Sequence, residues 1–172
     1  MILLDILLFT VLIICIITDI KVRKIYNKVI LPSLLISITI HLFNSGLLGL
    51  IDSLKGVLVG LGVLILPYFL GGMGAGDVKL LALIGAIKGS GFVLVTSIYM
   101  ALFGGLMAIA FLLFQKGVFQ KLKIIIYSIC GVRFGIKIPL AISKERKATL
   151  PYGVAIAAGA FMSLWLKGVL FI

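Results

Sequence analysis

The chain has 172 residues, of which 63% are hydrophobic and 12% charged, with a mean hydropathy of +1.36. A soluble domain of this length has too little polar material to cover so much apolar surface, which excludes an ordinary soluble fold and points to a membrane. The formal net charge of +11 would suit nucleic acid, but its distribution along the chain argues for a membrane surface instead.

A helix needs about 20 mostly apolar residues to cross the hydrocarbon core of a bilayer. The first such run covers residues 2–18. It has no basic leader segment and no small-residue cleavage site, so it reads as a span and not as a secretory signal. It closes at Asp19, which the bases Lys21, Arg23, Lys24 and Lys28 follow. The second run, 27–43, carries His41 near its far end, and the third, 53–70, opens at Asp52, a helix-capping residue type. A glycine-rich break, Gly71-Gly-Met-Gly-Ala-Gly-Asp77-Val-Lys79, leads into the fourth run, 78–95. Lys88, Gly89 and Gly91 interrupt that run, so its helix is expected to end near Ile87 in a tight turn. The fifth run is 97–114 and the sixth 150–170.

Between the last two lies a basic segment, 115–149. Its apolar stretch 124–132 spans only about 14 Å as a helix, too little to cross, and reads as an amphipathic interfacial helix. The runs are continuous and lack alternation, which argues against a transmembrane β-barrel. The expected fold is an all-α polytopic bundle of six transmembrane helices, one domain over residues 1–172. Small residues at four-residue spacing (Gly56 and Gly60, Ala101 and Gly105, Gly153 and Ala157) favour close helix packing in lipid.

With the N-terminus outside, the inner segments are 19–28, 71–79 and 115–149. Thirteen of the sixteen basic residues then lie inside, leaving Lys55, Lys88 and Lys167 outside. This asymmetry sets the orientation and explains the basic charge through contact with anionic lipid of the cytoplasmic membrane, with no nucleic acid involved. Cys15 and Cys130 belong to no Cys-x-x-Cys pair and read as packing residues.

The same topology, set by Lys and Arg alone, brings Asp19 and Asp77 to one face. Two carboxylates sharing a water-accessible crevice cannot both ionise easily, so the pair tends to hold one proton. The charged member can then activate a water, and the protonated member can donate to a peptide carbonyl. That is the equipment of an intramembrane aspartyl protease. Gly74 and Gly76 allow a sharp turn and a close backbone approach ahead of Asp77. The plainer readings are that Asp77 caps its helix and that Asp19 pairs with Arg23 at helical spacing.

Gly74-Ala-Gly-Asp77-Val-Lys79 is similar to the GxGD-x-K segment of the type IV prepilin peptidases, a family of membrane aspartyl proteases. Asp19-Ile-Lys-Val-Arg-Lys-Ile-Tyr-Asn27 resembles their first-aspartate segment, with Tyr26 where they usually have Pro. Pro151-Tyr152-Gly153 resembles the opening of their last helix. The resemblance implies Asp19 and Asp77 as catalytic residues, with Asn27, Gly74, Gly76, Lys79, Pro151, Tyr152 and Gly153 supporting them or the substrate. It implies cleavage of class III leader peptides of prepilin-like proteins at the cytoplasmic membrane face, after Gly or Ala, with no metal or organic cofactor. Long members of the family carry a cytoplasmic domain with two Cys-x-x-Cys pairs and also methylate the new N-terminus. This chain has no such pairs, so cleavage without N-methylation is expected, as in the short enzymes serving Tad/Flp-type pili or preflagellins. Two other readings stay open: a non-catalytic membrane subunit of a pilus or secretion assembly, and a small proton-coupled transporter. Oligomeric state is not legible in the sequence.

Overall fold

The structure is a computed structural model, and it describes residues 2–114 and 151–170. Among these the chain forms five helices and no strand: α1 (Ile2–Val22), α2 (Asn27–Phe69), α3 (Ala75–Lys88), α4 (Ser90–Phe114) and α5 (Tyr152–Leu170). An apolar chain in lipid must satisfy its backbone internally, and helices do so. The hydroxyls of Thr10, Ser33, Thr39 and Ser97 follow the same rule, each donating to the carbonyl four residues back. Three stretches are long and apolar enough to cross a membrane, Ile2–Val22, Asn27–Phe69 and Ser90–Phe111. The basic segment 115–149, its interfacial helix at 124–132 and Cys130 lie outside the described residues.

The chain divides into two compact units. One comprises residues 1–104 and 151–172 and contains every site residue discussed below. The other comprises 105–150, described only over 105–114 as the closing turns of α4.

Within the first unit, α3 is the core. Leu80, Leu81, Leu83, Ile84 and Ala86 are completely buried, and Ala82 and Ile87 almost so. A helix that is apolar on every side must be surrounded by other helices, and α3 is. Most of that cover comes from α2, whose 43 residues turn back at Gly46 (φ 61, ψ −144). The first arm runs parallel to α3, with Asn27 beside Lys79 and His41 beside Ile87. The second arm runs antiparallel, placing Ser53 on the Ala86 carbonyl, Gly56 against Gly85 and Gly60 against Leu81 and Ala82. The expected runs 27–43 and 53–70 are therefore the two arms of one helical hairpin. Backbone lies directly on backbone at Gly56 and Gly85, where a Cβ on either would collide with the carbonyl of the other. Close helix approach of this kind is what small residues permit.

α3 ends at Lys88, close to the end near Ile87 that the interruption at Lys88, Gly89 and Gly91 leads one to expect, so the apolar residues 90–95 belong to the next helix. Gly89 has φ 87, a left-handed backbone that glycine enters freely, and α4 starts directly after it. Two expectations need correction. Asp52 does not cap a helix, since α2 continues through it; it is exposed and pairs with Lys55 at 3.6 Å. In addition, α1 runs past Asp19 to Val22, so this acid sits inside the last turn and not at the end of the helix.

Candidate active site

The termination of α1 explains how Asp19 is presented. Arg23 adopts φ 53, and its amide donates to the Asp19 carbonyl at 2.9 Å, closing the helix with a left-handed residue. The carboxylate is thereby aimed from a completed helical turn and is only 5% exposed. Its Oδ2 accepts the amide of Gly153 at 2.8 Å, from the first turn of α5. Among the described residues Asp19 has no ion pair, so the pairing with Arg23 that helical spacing suggests does not form.

The glycine run before Asp77 divides its work. Gly72 donates to the Pro67 carbonyl at 3.0 Å and Gly71 (φ 73) to that of Tyr68 at 2.9 Å. This crossed pair of bonds is a Schellman termination, and it stops α2. Gly74 then begins α3. Its amide donates to Asp77 Oδ2 at 3.0 Å, while the Asp77 amide donates to the Gly74 carbonyl at 3.1 Å. Asp77 thus does cap its own helix, as the plainer reading expected, and that bond fixes the carboxylate in the first turn.

Gly76 serves a different contact. A Cβ there would stand 2.9 Å from the Ile25 Cβ, so the loop joining α1 to α2 rests on the first turn of α3. Lys79 donates to Asn27 Oδ1 at 3.0 Å, on the same seam. Together the two contacts tie the segment following Asp19 to the segment carrying Asp77.

All of these residues gather at one end of the helices. Asp5 pairs with Lys88, and His41 Nε2 meets the Ile87 carbonyl, at the opposite end of α3. Asp77 is 7% exposed. Its Oδ2 is held by the Gly74 amide, and the carboxyl lies in the field of Asp19. Cys15, buried one turn before Asp19, also lies in the field of both carboxylates. The two acids, distant in sequence, are electrostatic neighbours. Among the described residues no three His, Cys, Asp or Glu side chains gather as metal ligands would.

A family model described as the type IV leader peptidase family matches residues 6–109. The chain belongs to the type IV leader peptidase family. The matched segment of this leader peptidase relative contains Asp19, Asn27, Gly74, Gly76, Asp77 and Lys79, and it ends before Pro151. No curated protein and no solved structure matched the chain.

The structure of this family member brings the expected residues together in two groups. Asn27 and Lys79 bond to each other and to neither carboxylate. Gly74 touches Asp77 and Gly153 touches Asp19. Pro151 accepts the Val154 amide at 3.2 Å, and the Tyr152 ring stands beside Gly104 of α4. Sequence reading missed Ile25, whose role lies in its contact with Gly76. Cys15 was placed as packing, and it is indeed buried. Its four-residue spacing from Asp19 was the available sign that it lies on the same face.

Proposed function

We propose that the chain is an intramembrane aspartyl endopeptidase that removes the leader of type IV prepilin-like proteins, with Asp19 and Asp77 as its catalytic pair. The observation that carries this reading is the convergence of two buried acids, each held by a backbone amide, at one end of the helices. Membership of a peptidase family supports the reaction class.

In the proposed reaction the pair holds one proton. The ionised member takes a proton from a water as it attacks the scissile carbonyl, and the protonated member donates to the carbonyl oxygen. Collapse of the tetrahedral species expels the amine, which leaves with a proton from the pair, and the shared proton is restored. The proton belongs to the pair, not to either residue.

The proposed membrane layout has six crossings with the N-terminus outside and one domain over the chain: α1, the two arms of α2, α3, α4 and α5. Exposed Lys21, Arg23, Lys24 and Lys28 beside the site support a cytoplasmic face for it, in the cytoplasmic membrane. Cleavage follows Gly or Ala, and the new N-terminus is left unmethylated. The rival is a non-catalytic subunit of a pilus or secretion assembly, and the capping bond of Asp77 is the feature that favours it.

The test incubates the purified chain with a prepilin-like substrate made of a short basic leader ending in Gly and an apolar helix. Mass spectrometry should show one cut after that Gly and no added methyl group. Intact substrate with a well-folded chain would favour the subunit.

A further inference from the structure

We propose that the opening turn of α5 is a positioning element for Asp19, with Gly153 as its indispensable residue. The proposal rests on the assignment of Asp19 to the catalytic pair.

Asp77 is held locally, by an amide three residues away. Asp19 is held across the fold. The Gly153 amide that reaches its Oδ2 lies 134 residues along the chain, and the bond is buried. This amide belongs to the first turn of a helix, where backbone N–H groups have no intrahelical acceptor and are free to bond a carboxylate. The positive end of the α5 dipole faces the same oxygen, and the Val154 amide also acts on it.

The fit leaves no room for a side chain. A Cβ on Gly153 would stand 2.8 Å from Asp19 Oδ2, 3.1 Å from its Cγ and 3.2 Å from its Cβ. The helix backbone therefore packs on the carboxylate itself, and even alanine would displace it. Further along, α5 is anchored to α1 by the Phe9 and Phe161 rings, 5.6 Å apart, and to α4 by Thr96 donating to Ser163 at 3.2 Å. The helix that presents the amide is thus fastened to the helix that carries the acid. Pro151 has its φ fixed by its ring and accepts the Val154 amide, which stiffens the turn just ahead of Gly153.

Gly159 supplies an internal control on the same helix. A Cβ there would meet the Met100 amide nitrogen at 2.7 Å and the Thr96 carbonyl at 2.8 Å, an equal crowding far from either acid. Displacing a reacting group by about 1 Å costs roughly 10²-fold in rate. Gly153→Ala should therefore lower kcat per folded molecule about 10²-fold with KM near that of the parent, beyond any loss of melting temperature that the added Cβ brings. Gly159→Ala should lower the melting temperature while each folded molecule keeps its kcat.

The experiment measures both variants, together with Asp19→Asn, as full-length chains in detergent on the basic-leader substrate above. A Gly153→Ala enzyme with the parent kcat per folded molecule, or one that loses only KM, overturns the proposal. Where Gly153→Ala does not accumulate, an ester in place of the 152–153 peptide bond removes the donor without adding an atom. That variant should lose about tenfold in kcat, the energy of one charge-assisted bond, and parent-like activity in it overturns the proposal equally. Cleavage by Asp19→Asn would instead refute the catalytic assignment. An inactive Asp19→Asn beside a fully active Gly153→Ala would refute the positioning role alone.

Discussion

The two ends of α3 treat their acids in opposite ways. At the end marked by Ile87, Asp5 pairs with Lys88, and the exposed Asp52 pairs with Lys55 on the nearby arm of α2. At the other end Asp19 and Asp77 are buried and held by amides, with no cation paired to either among the described residues. The neighbouring bases Lys21, Arg23, Lys24 and Lys28 are exposed, and Lys79 is engaged by Asn27. An acid neutralised by a cation is chemically quiet, whereas two acids held only by amides must settle their charge between themselves. One end is ion-paired, and the other, in the proposed reaction, moves a proton.

The contrast is broken most directly by removing charge at both ends. Asp19→Asn and Asp77→Asn should each cut cleavage by about 10³-fold or more, the scale of a lost general acid or base. Asp5→Asn and Asp52→Asn should stay within about twofold in the same gel assay, because both pairs lie away from the end that holds Asp19 and Asp77.

The backbone packing between α2 and α3 ought to behave in the converse way. Gly56→Ala drives a Cβ onto the Gly85 carbonyl and should destabilise the fold by about 3 kcal/mol, the upper range for overpacking. Thermal unfolding in detergent should report that loss, with the kcat of surviving folded molecules unchanged.

Titration sharpens the contrast further. In the proposed reaction the pair must hold one proton. As pH rises the shared proton leaves, so kcat/KM of the free enzyme should fall on the alkaline side of its optimum, about tenfold per pH unit. Asp5→Asn should leave that limb where it is, as steady-state profiles at several pH values would show.

The smallest effects concern the partnered end and the turn after Asp19. Lys88→Met should lower stability by about 1 kcal/mol and leave kcat alone, as the loss of a half-exposed ion pair would. Arg23→Gly should raise stability by about 1 kcal/mol, since φ 53 suits glycine better than arginine. Both are read by thermal unfolding.

Much of this was legible in the chain before the fold was known. Continuous apolar runs, Gly and Asn at their breaks, and the lopsided bases announce helices and their ends. Gly74-Ala-Gly-Asp77 announces a tight turn before an acid. Other features were not legible because they depend on register between distant helices. Nothing local in Gly153 says that its amide meets Asp19, and nothing in Ile25 says that it needs the bare face of Gly76. The break at Lys88 and Gly89 was legible, but the start of the next helix at Ser90, and not near residue 97, was not, because hydropathy does not record a change of direction. The roles of Gly74 and Gly76 before Asp77 were legible, whereas nothing local in Gly71 and Gly72 says that their amides stop α2.

The central claim is that Asp19 and Asp77 act as one unit on one bond, and a double-mutant comparison tests it most directly. Cleavage rates of Asp19→Asn, Asp77→Asn and the double variant, each corrected for folded enzyme, should be equally low, because either loss already disables the pair. Losses that simply multiply in the double variant, or substantial cleavage by either single variant, would contradict it.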